Sequence, residues 1–149
     1  MSNLNFSIQK ATWRDYSQLN DLDRQCFSKQ DQWPFWDVIG ILTFPGYVRL
    51  KAVFDDQMIG FIGGERNTPE RTGWITTLST APNFRRSQVA LRLLDACEKE
   101  LDMPIIRLAV RASNDPAIHL YEKAGYLMVN RWKKYYTGGE DALVYEKRR

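Results

Sequence analysis

The stretch that decides the fold is "GWITTLSTAPNFRRSQVALRLLDACEKELDMPIIRLAV", residues 73–110. It opens with a run rich in β-branched and aromatic residues, which is typical of a strand. From about Gln88 to Leu101 the apolar residues recur at helical spacing, and "IIRLAV" then indicates a second strand. A strand, a helix and a strand in this order predict a βαβ crossover with parallel strands and a right-handed connection. In such a unit a ligand binds at the carboxyl ends of the strands, where the helix N-terminus points.

The loop "PNFRRSQVA", residues 82–90, lies at that ligand-binding end of the predicted crossover. Free backbone N–H groups and the positive end of the helix dipole converge there, so the loop predicts an anion site. Glycine usually stands where such a loop approaches a phosphate most closely, and this loop contains none. The alternative is that Arg85 and Arg86 are exposed charges before an ordinary helix. The apolar face of that helix would consist of Val89, Leu93, Ala96 and Cys97.

The rest of the chain extends this unit into an α/β pattern in the order β-α-α-β-β-β-α-β-α-β-β. The strands are predicted at residues 5–11, 47–54, 58–65, 73–80, 105–110, 126–136 and 141–147. The helices are predicted at residues 12–27, 34–44, 88–101 and 114–125. Thr12 and Asp15 indicate a capping box, and Asn114 and Gly125 indicate the start and the stop of the last helix. No repeat or linker interrupts the pattern, so we expect a single domain over residues 1–149.

Composition and charge argue against several classes of protein. The 44% hydrophobic content of the 149 residues is typical of a folded protein with one core. A net charge of +3 is too small to indicate nucleic acid, and acidic residues interrupt the basic C-terminal end. No apolar run reaches the length of a signal peptide or a membrane span, so we expect no membrane partner and a cytoplasmic location.

The two cysteines and the one histidine give no sign of a metal site. Cys26 and Cys97 lie among apolar residues at helical spacing, which predicts small core side chains. The chain has no CxxC pair, and His119 is predicted to lie on the surface of the last helix. We therefore expect no bound metal.

Two motifs carry a resemblance to a known family. They are "P-x-F-R-R-x-x-x-A-x-x-L-L" from Pro82 and "NDPAIHLYEKAGY", residues 114–126. Together with the element order they resemble the GCN5-related N-acetyltransferases, the GNAT superfamily. Residues 107–126 and the ending "YYTGGEDALVY" look most like the branch that acetylates protein N-termini, typified by the ribosomal-protein-alanine acetyltransferases. The resemblance implies a mixed central sheet with splayed parallel strands four and five and about four helices.

The resemblance also implies acetyl-CoA as co-substrate, bound between the two parallel strands. Leu78 and Thr80 would then offer backbone hydrogen bonds to the pantetheine and acetyl groups. The pyrophosphate motif of the family, R/Q-x-x-G-x-G/A, falls on Arg85, Arg86, Ser87, Gln88, Val89 and Ala90. Asn114 would contact the cofactor as well as cap its helix. Tyr121 falls on the tyrosine that protonates the departing thiolate, although it also belongs to an ordinary buried helix stripe.

Gln88 departs from the family pattern, because the family has glycine there. If the backbone at Gln88 has a negative φ, the substitution costs little. If the wider φ range of glycine is required, the loop must reshape. The sequence predicts a weakened but usable phosphate loop, in which Ala90 keeps the small residue at the second critical position.

Ala109 is the second departure, because it stands where this branch usually has a glutamate as general base. Without a strong base, an α-amine is the easier acceptor. It is roughly a quarter or more neutral at pH 7.5, whereas a lysine side chain is only about 0.1% neutral. Glu65, Glu140 and Asp141 are the acidic residues that could supply a base from elsewhere.

The acceptor site is expected to involve Trp33, Glu65, Tyr135 and Glu140. Trp33, with Phe35 and Trp36, forms an aromatic group in a region where the fold builds its acceptor pocket; covering the core is the alternative role. Tyr135 and Tyr136 are predicted to alternate across a strand, so that at most one faces the cleft.

The resemblance implies an acetyl-CoA-dependent N-acetyltransferase that transfers the acetyl group directly to an amine, with a protein or peptide N-terminus as the indicated acceptor. No cysteine nucleophile is expected, because neither cysteine lies near the acetyl site in the sequence. The alternative is a degenerate domain that binds acyl-CoA or another protein without catalysis. The sequence leaves open whether the protein is a monomer or a homodimer.

Overall fold

Strands and helices follow one another along the chain in the predicted order. The structure is a computed structural model that describes residues 5–29 and 31–149. The strands are β1 Ser7–Lys10, β2 Tyr47–Phe54, β3 Gln57–Asn67, β4 Thr72–Thr80, β5 Ile105–Arg111, β6 Leu127–Trp132 and β7 Ala142–Arg148. The helices are α1 Tyr16–Cys26, α2 Phe35–Thr43, α3 Val89–Leu101 and α4 Asp115–Lys123. Short 3-10 turns at Trp13–Asp15 and Pro82–Phe84 precede α1 and α3. None of these helices is long and apolar enough to cross a membrane.

The strands form one mixed sheet in the order β1-β2-β3-β4-β5-β7-β6. β4 and β5 run parallel to each other, whereas the other neighbouring strands are antiparallel. α3 connects the two parallel strands, so the predicted crossover between residues 73 and 110 is confirmed.

Local hydrogen bonds explain where the first and last helices begin and end. Thr12 and Asp15 form the predicted capping box, in which the Thr12 amide donates to Asp15 Oδ2 at 2.8 Å. Asn114 Oδ1 caps α4 by accepting from the Ala117 amide at 3.3 Å. Gly125 follows α4 with a φ of +98°, a left-handed conformation that terminates the helix.

Two apolar clusters lie on opposite faces of the sheet. Phe61 belongs to one cluster and Ile62 to the other, because successive residues of a strand point to opposite faces. α3 and α4 pack on the Ile62 face, where Cys97 is fully buried as predicted. α1 and α2 pack on the Phe61 face. Cys26, at the end of α1, is only partly buried.

The region after α4 differs from the prediction of a strand at residues 126–136. β6 ends at Trp132, and the chain then forms turns through residues 133–141. Tyr135 and Tyr136 lie in this β6–β7 loop. The prediction that they alternate across a strand is therefore wrong.

A buried carboxylate on α3 is a feature that the sequence pattern does not predict. Glu98 is 4% exposed and accepts from the Tyr126 hydroxyl at 2.7 Å and from Lys147 Nζ at 3.0 Å. Burial and the neighbouring carboxylate both raise the pKa of Tyr126, so its hydroxyl stays protonated and donates. These bonds tie α3 to the end of α4 and to β7, which fixes α3 on the sheet.

Gly60 on β3 lets α3 approach the sheet closely, and we expect Gly60→Ala to destabilise the fold by about 1–3 kcal/mol. The added Cβ would lie 2.9 Å from Leu93 Cδ1, 2.9 Å from Val89 Cγ1 and 3.2 Å from the Ser79 carbonyl oxygen. Because the carbonyl belongs to the sheet and cannot swing aside, α3 must shift outward. Urea unfolding measures the loss as a lower midpoint at an unchanged slope.

The same measurement on Leu93→Ala and on the double variant gives the coupling between the two positions. Truncating Leu93 removes one of the crowded atoms, so the alanine at position 60 should cost less in that background. An equal cost in both backgrounds would contradict the proposed contact between α3 and β3.

Candidate functional site

β4 and β5 separate after a short paired segment and leave a gap between them, here called the β4–β5 cleft. The parallel register ends where Ile75 lies opposite Leu108. Beyond that point β4 stays paired with β3 as far as Thr80, and β5 stays paired with β7 as far as Arg111. In the described part of the chain, the backbone groups of residues 76–80 that face β5 therefore have no strand partner and can bind a ligand.

A β-bulge marks the point where the cleft opens. Gly64 lies opposite Ile75 and Gly63 lies opposite Thr77, so Thr76 is the extra residue of β4. A bulge bends its strand and increases the local twist. The bend accounts for the departure of β4 from β5 at this residue.

The loop between β4 and α3 adopts a backbone that glycine adopts without strain. Gln88 has a φ of +67° and a ψ of +7°, and Arg86 also has a φ of +67°. Of the two possibilities for Gln88, the structure therefore has the left-handed one. The chain keeps this backbone shape with a glutamine, at a cost of about 1–2 kcal/mol relative to an ordinary conformation.

The same loop exposes a row of backbone amides. The first backbone bond of α3 runs from the Arg92 amide to the Gln88 carbonyl oxygen at 3.0 Å. The amides of residues 86–91 precede it, at the positive end of the helix dipole. The Ser87 hydroxyl donates to the Phe84 carbonyl oxygen and braces the turn. Val89 is buried and Ala90 half-buried, so neither side chain projects fully into solvent at the start of α3.

The carboxyl end of β4 carries an unusual polar group. Thr80 Oγ1 is buried without a hydrogen-bond partner among the described residues. The Thr80 carbonyl oxygen accepts from Arg85 Nε at 3.2 Å and from Cys26 Sγ at 3.3 Å. Burial raises the pKa of the Cys26 thiol, so it remains a neutral donor rather than a thiolate. Cys26 therefore contacts the end of β4 in space although it is distant in the sequence, and the absence of a cysteine nucleophile stays a prediction.

Tyr121 lies on α4, in the core cluster that also contains Leu108 and Val110 of β5, and is 8% exposed. Its ring packs edge-on against Tyr126 at 6.0 Å between centroids. Burial, with a smaller contribution from Tyr136, raises the pKa of Tyr121 above its usual value of 10.0. The hydroxyl is therefore protonated at neutral pH and has a proton to donate, although the raised pKa makes it a weaker acid than an exposed tyrosine.

The predicted cofactor residues on either side lie where the strands diverge. Leu78 sits on β4 opposite Ile62 and packs against the larger core cluster. Asn114 follows the end of β5 and is exposed, with its side chain engaged as the α4 cap. Across residues 5–29 and 31–149, no group of three or more His, Cys, Asp or Glu side chains is placed to hold a metal ion.

An ionic network closes the end of β5. Arg111 Nη2 lies 2.5 Å from Asp31 Oδ1, and Arg111 Nη1 lies 3.1 Å from Glu140 Oε1. The guanidinium carbon of Arg111 also lies 4.4 Å from the ring centroid of Tyr136. Glu140 Oε2 accepts from the Ser113 amide at 2.7 Å. The network therefore joins the α1–α2 loop, the end of β5 and the β6–β7 loop.

Two of the predicted acceptor residues, Glu140 and Tyr135, lie in or beside this network. Hydrogen bonds from Ser113 and Arg111 hold the pKa of Glu140 below its usual value, which makes this carboxylate a weaker base. Tyr135 is 56% exposed and packs on Trp132. Tyr136, which was not among the predicted site residues, is the tyrosine under Arg111, and burial raises its pKa to about 12.

The remaining predicted acceptor residues line an open groove beside α2. Trp33 borders a cavity of about 290 Å³, and Glu65 borders an adjoining cavity of about 480 Å³. Tyr47 borders both cavities, and its hydroxyl bonds to Thr76 Oγ1 at the bulge. Ala109 lies on β5 opposite Val144, on the side of the strand that carries Arg111.

Asp31, Arg111 and Tyr47 are the residues of this region that sequence reasoning missed, and of the two tyrosines it weighed it chose Tyr135 for the site instead of Tyr136. Arg111 stands 80 residues from Asp31, and no local pattern reveals such a pair. Tyr47 begins an ordinary predicted strand, and its contact with Thr76 spans 29 residues. The one available signal was the position of Arg111 at the end of a strand that leads to a predicted ligand site.

Comparison with known proteins identifies the family. Residues 7–126 match the model of the acetyltransferase (GNAT) family. The catalytic subunit NAA20 of the N-terminal acetyltransferase B complex of Arabidopsis thaliana is 34% identical over 113 residues, which span 72% of this chain and 65% of that protein. The N-alpha-acetyltransferase of Saccharolobus solfataricus is 29% identical over 153 aligned positions, covering 93% of this chain and 90% of that protein.

Solved structures share the fold over nearly the whole chain. The ribosomal-protein-S18-alanine N-acetyltransferase of Escherichia coli superposes with a TM-score of 0.85 at 21% identity, covering 97% of this chain and 94% of that one. NAA60 of Arabidopsis thaliana in complex with acetyl-CoA superposes with a TM-score of 0.84 at 18% identity, covering 97% and 98%. The chain belongs to the GNAT acetyltransferase family. The resemblance drawn from the sequence and the predicted α/β fold, with its splayed parallel strands, are both confirmed.

The lowered pKa of Glu140 predicts a stability contribution that depends on pH. A carboxylate whose folded pKa lies below its unfolded value of 4.5 contributes fully above pH 4.5, and the contribution is lost as the pH falls through the folded pKa. Glu140→Gln should therefore be less stable than wild type at pH 7 and should approach it as the pH falls below that range. Urea unfolding between pH 3 and pH 7 measures the difference at each pH.

Glu70→Gln is the matched control, because Glu70 is exposed in the β3–β4 connection, far along the chain from this network. It should follow wild type at every pH. A constant gap between Glu140→Gln and wild type across the range would contradict the network.

Proposed function

We propose that the protein transfers the acetyl group of acetyl-CoA to the N-terminal α-amine of a protein or peptide. The observation that carries the proposal is the separation of β4 from β5 beyond Ile75, followed at the carboxyl end of β4 by the amides of residues 86–91, which have no backbone partner among the described residues. The relatives that are named N-alpha-acetyltransferases, and the neighbour solved with acetyl-CoA, support it.

The residues of the cleft have the chemistry that a CoA diphosphate and pantetheine require. The amides of residues 86–91 and the exposed Arg85 and Arg86 would bind the two phosphates. The backbone of Leu78 and the amide of Thr80, which have no strand partner on the β5 side, would bind the amides of the pantetheine arm, and the buried Thr80 Oγ1 would gain a partner. The side chain of Asn114, at the end of β5, would border the bound cofactor. Acetyl-CoA supplies a thioester carbonyl as the electrophile.

The chain residues around the acetyl position favour an α-amine as acceptor. Ala109 gives β5 no carboxylate at the position that carries a general base in this branch, so the amine must arrive largely neutral. At neutral pH an α-amine, with a pKa of about 7.7–8.0, meets that condition far better than lysine. Tyr121 is buried and protonated, so it would donate its phenolic proton to the departing thiolate.

A non-catalytic acyl-CoA-binding or protein-interaction role is the second candidate. Ala109 and the strained Gln88 favour it, because a domain without catalytic function can keep its fold while losing a base and a loop glycine. Oligomeric state and cellular location do not distinguish the two candidates.

Incubation with acetyl-CoA and peptides, followed by mass spectrometry, tests the proposed function. A lysine-free peptide with a free N-terminus should be acetylated at least about tenfold faster than a peptide with a blocked N-terminus and one lysine. Tyr121→Phe should lower kcat by about tenfold or more without weakening acetyl-CoA binding. Tyr145→Phe, which removes a hydroxyl bonded to Glu122 instead, is its control.

Two results would contradict the proposal in different ways. Faster acetylation of the lysine peptide would reject the α-amine as the preferred acceptor. Binding of acetyl-CoA without any peptide product would favour the non-catalytic candidate.

Gln88→Gly should strengthen acetyl-CoA binding and raise stability by about 1 kcal/mol, because it relieves a left-handed residue and removes a Cβ from the phosphate loop. Calorimetric titration measures the binding, and urea unfolding measures the stability. Asp102→Gly is the matched control, since Asp102 has a φ of +50° at the other end of α3. It should raise stability and leave binding unchanged. Weaker binding by Gln88→Gly would show that the glutamine side chain assists the cofactor.

A further inference from the structure

The open groove beside α2 is not used by the cofactor residues. Its two cavities, of about 290 Å³ and about 480 Å³, share Phe44 and Tyr47 and therefore adjoin each other. Trp33 and Trp36 line the first cavity, and Glu65 lines the second. This surface is here called the α2–β3 groove.

The α2–β3 groove is linked through Tyr47 to the residue at which the β4–β5 cleft opens. The Tyr47 hydroxyl is hydrogen-bonded to Thr76 Oγ1, and Thr76 is the bulged residue at which the cleft opens. Tyr47 is also the residue common to both cavities at the β2 wall. A polypeptide whose amine reaches the cleft can therefore continue along this groove.

Two carboxylates face the groove without a partner. Asp37 borders the first cavity and Glu65 borders the second. Within residues 5–29 and 31–149, neither side chain takes part in an ion pair or a hydrogen bond. Asp37 also lies in the first turn of α2, where an acidic residue stabilises the helix dipole, but that role leaves its oxygens open to solvent.

Two arginines lie at the groove, Arg66 in the lining of the second cavity and Arg49 bound to lining residues of the first, and both donate to main-chain oxygens at helix ends. Arg49 Nε donates to the Ile41 carbonyl oxygen at 2.6 Å, at the end of α2. Arg66 Nε donates to the Leu101 carbonyl oxygen at 3.0 Å, at the end of α3. Both guanidinium groups therefore offset the negative ends of helix dipoles. The groove keeps aromatic walls with a carboxylate in each cavity.

We propose that the α2–β3 groove binds the segment that follows the acceptor amine and selects segments carrying lysine or arginine over segments carrying aspartate or glutamate. A basic side chain would pair with Asp37 or Glu65 and lie against the faces of Trp33, Trp36 or Phe44. An acidic side chain would meet like charges on the same surface. The proposal rests on the proposed function, because it names the class of its acceptor.

Three peptides test the selection, each with the same first residue and a free α-amine and with lysine, alanine or glutamate at the third and fourth positions. We expect kcat/KM to fall in the order lysine, alanine, glutamate, with about five- to tenfold between lysine and glutamate at low salt. Raising the ionic strength should shrink that ratio, because exposed charges are screened.

The double variant Asp37→Asn, Glu65→Gln should bring the ratio of lysine to glutamate peptide close to one and leave acetyl-CoA binding unchanged. Asp56→Asn is the matched control. It lies in the β2–β3 hairpin, beyond the end of β2 opposite to Tyr47, and should keep the full ratio.

The outcomes separate the inference from the function on which it rests. If wild type acetylates no peptide, the proposed function and the inference about the groove both fail. If it acetylates all three peptides equally or prefers glutamate, only the inference fails. A lysine preference that survives in the double variant also overturns it, because the selection then arises outside the groove.

Discussion

The structure depends on one constraint, which is that β4 must leave β5 while each strand stays paired on its other side. β3 holds β4 as far as Thr80, and β7 holds β5 as far as Arg111. The bulge at Thr76 bends β4 between these two supports. The backbone groups of β4 that face the cleft have no strand partner, and an unpaired group inside a sheet is unfavourable. A ligand can therefore bind by pairing with these donors and acceptors. The antiparallel neighbours β3 and β7 thus hold β4 and β5 apart and maintain the cleft between them.

The backbone at the start of α3, next to the cleft, is strained. Arg86 and Gln88 hold left-handed backbones that cost about 1–2 kcal/mol each in residues other than glycine. Such strain persists only where the surroundings determine the conformation. Here α3 is fixed on the sheet by its contact with Gly60 and by the buried Glu98 bonds to Tyr126 and Lys147. The fixed position of α3 therefore holds the loop that contains residues 86–91 at the carboxyl end of β4.

Local signals in the sequence predicted most of the fold, because caps, turns and hydrophobic periodicity act over a few residues. Thr12, Asn114 and Gly125 mark helix ends that the structure confirms. The φ of Gln88 could not be deduced, since its value is imposed by the packing of α3. The ionic network at Arg111 was missed for the related reason that its partner Asp31 stands 80 residues away. The candidate site was therefore predictable on its cofactor side and much less so on its acceptor side.

Titration of the ¹⁵N-labelled protein with CoA, followed by amide chemical shifts, tests the central claim most directly. If the separation of β4 from β5 makes the cofactor slot, the amides of residues 76–80 and 86–91 should shift together, with one saturation curve. The amides of β1 and β2 should change little. Absence of shifts at saturating CoA, or shifts confined to surfaces away from the β4–β5 cleft, would contradict the account.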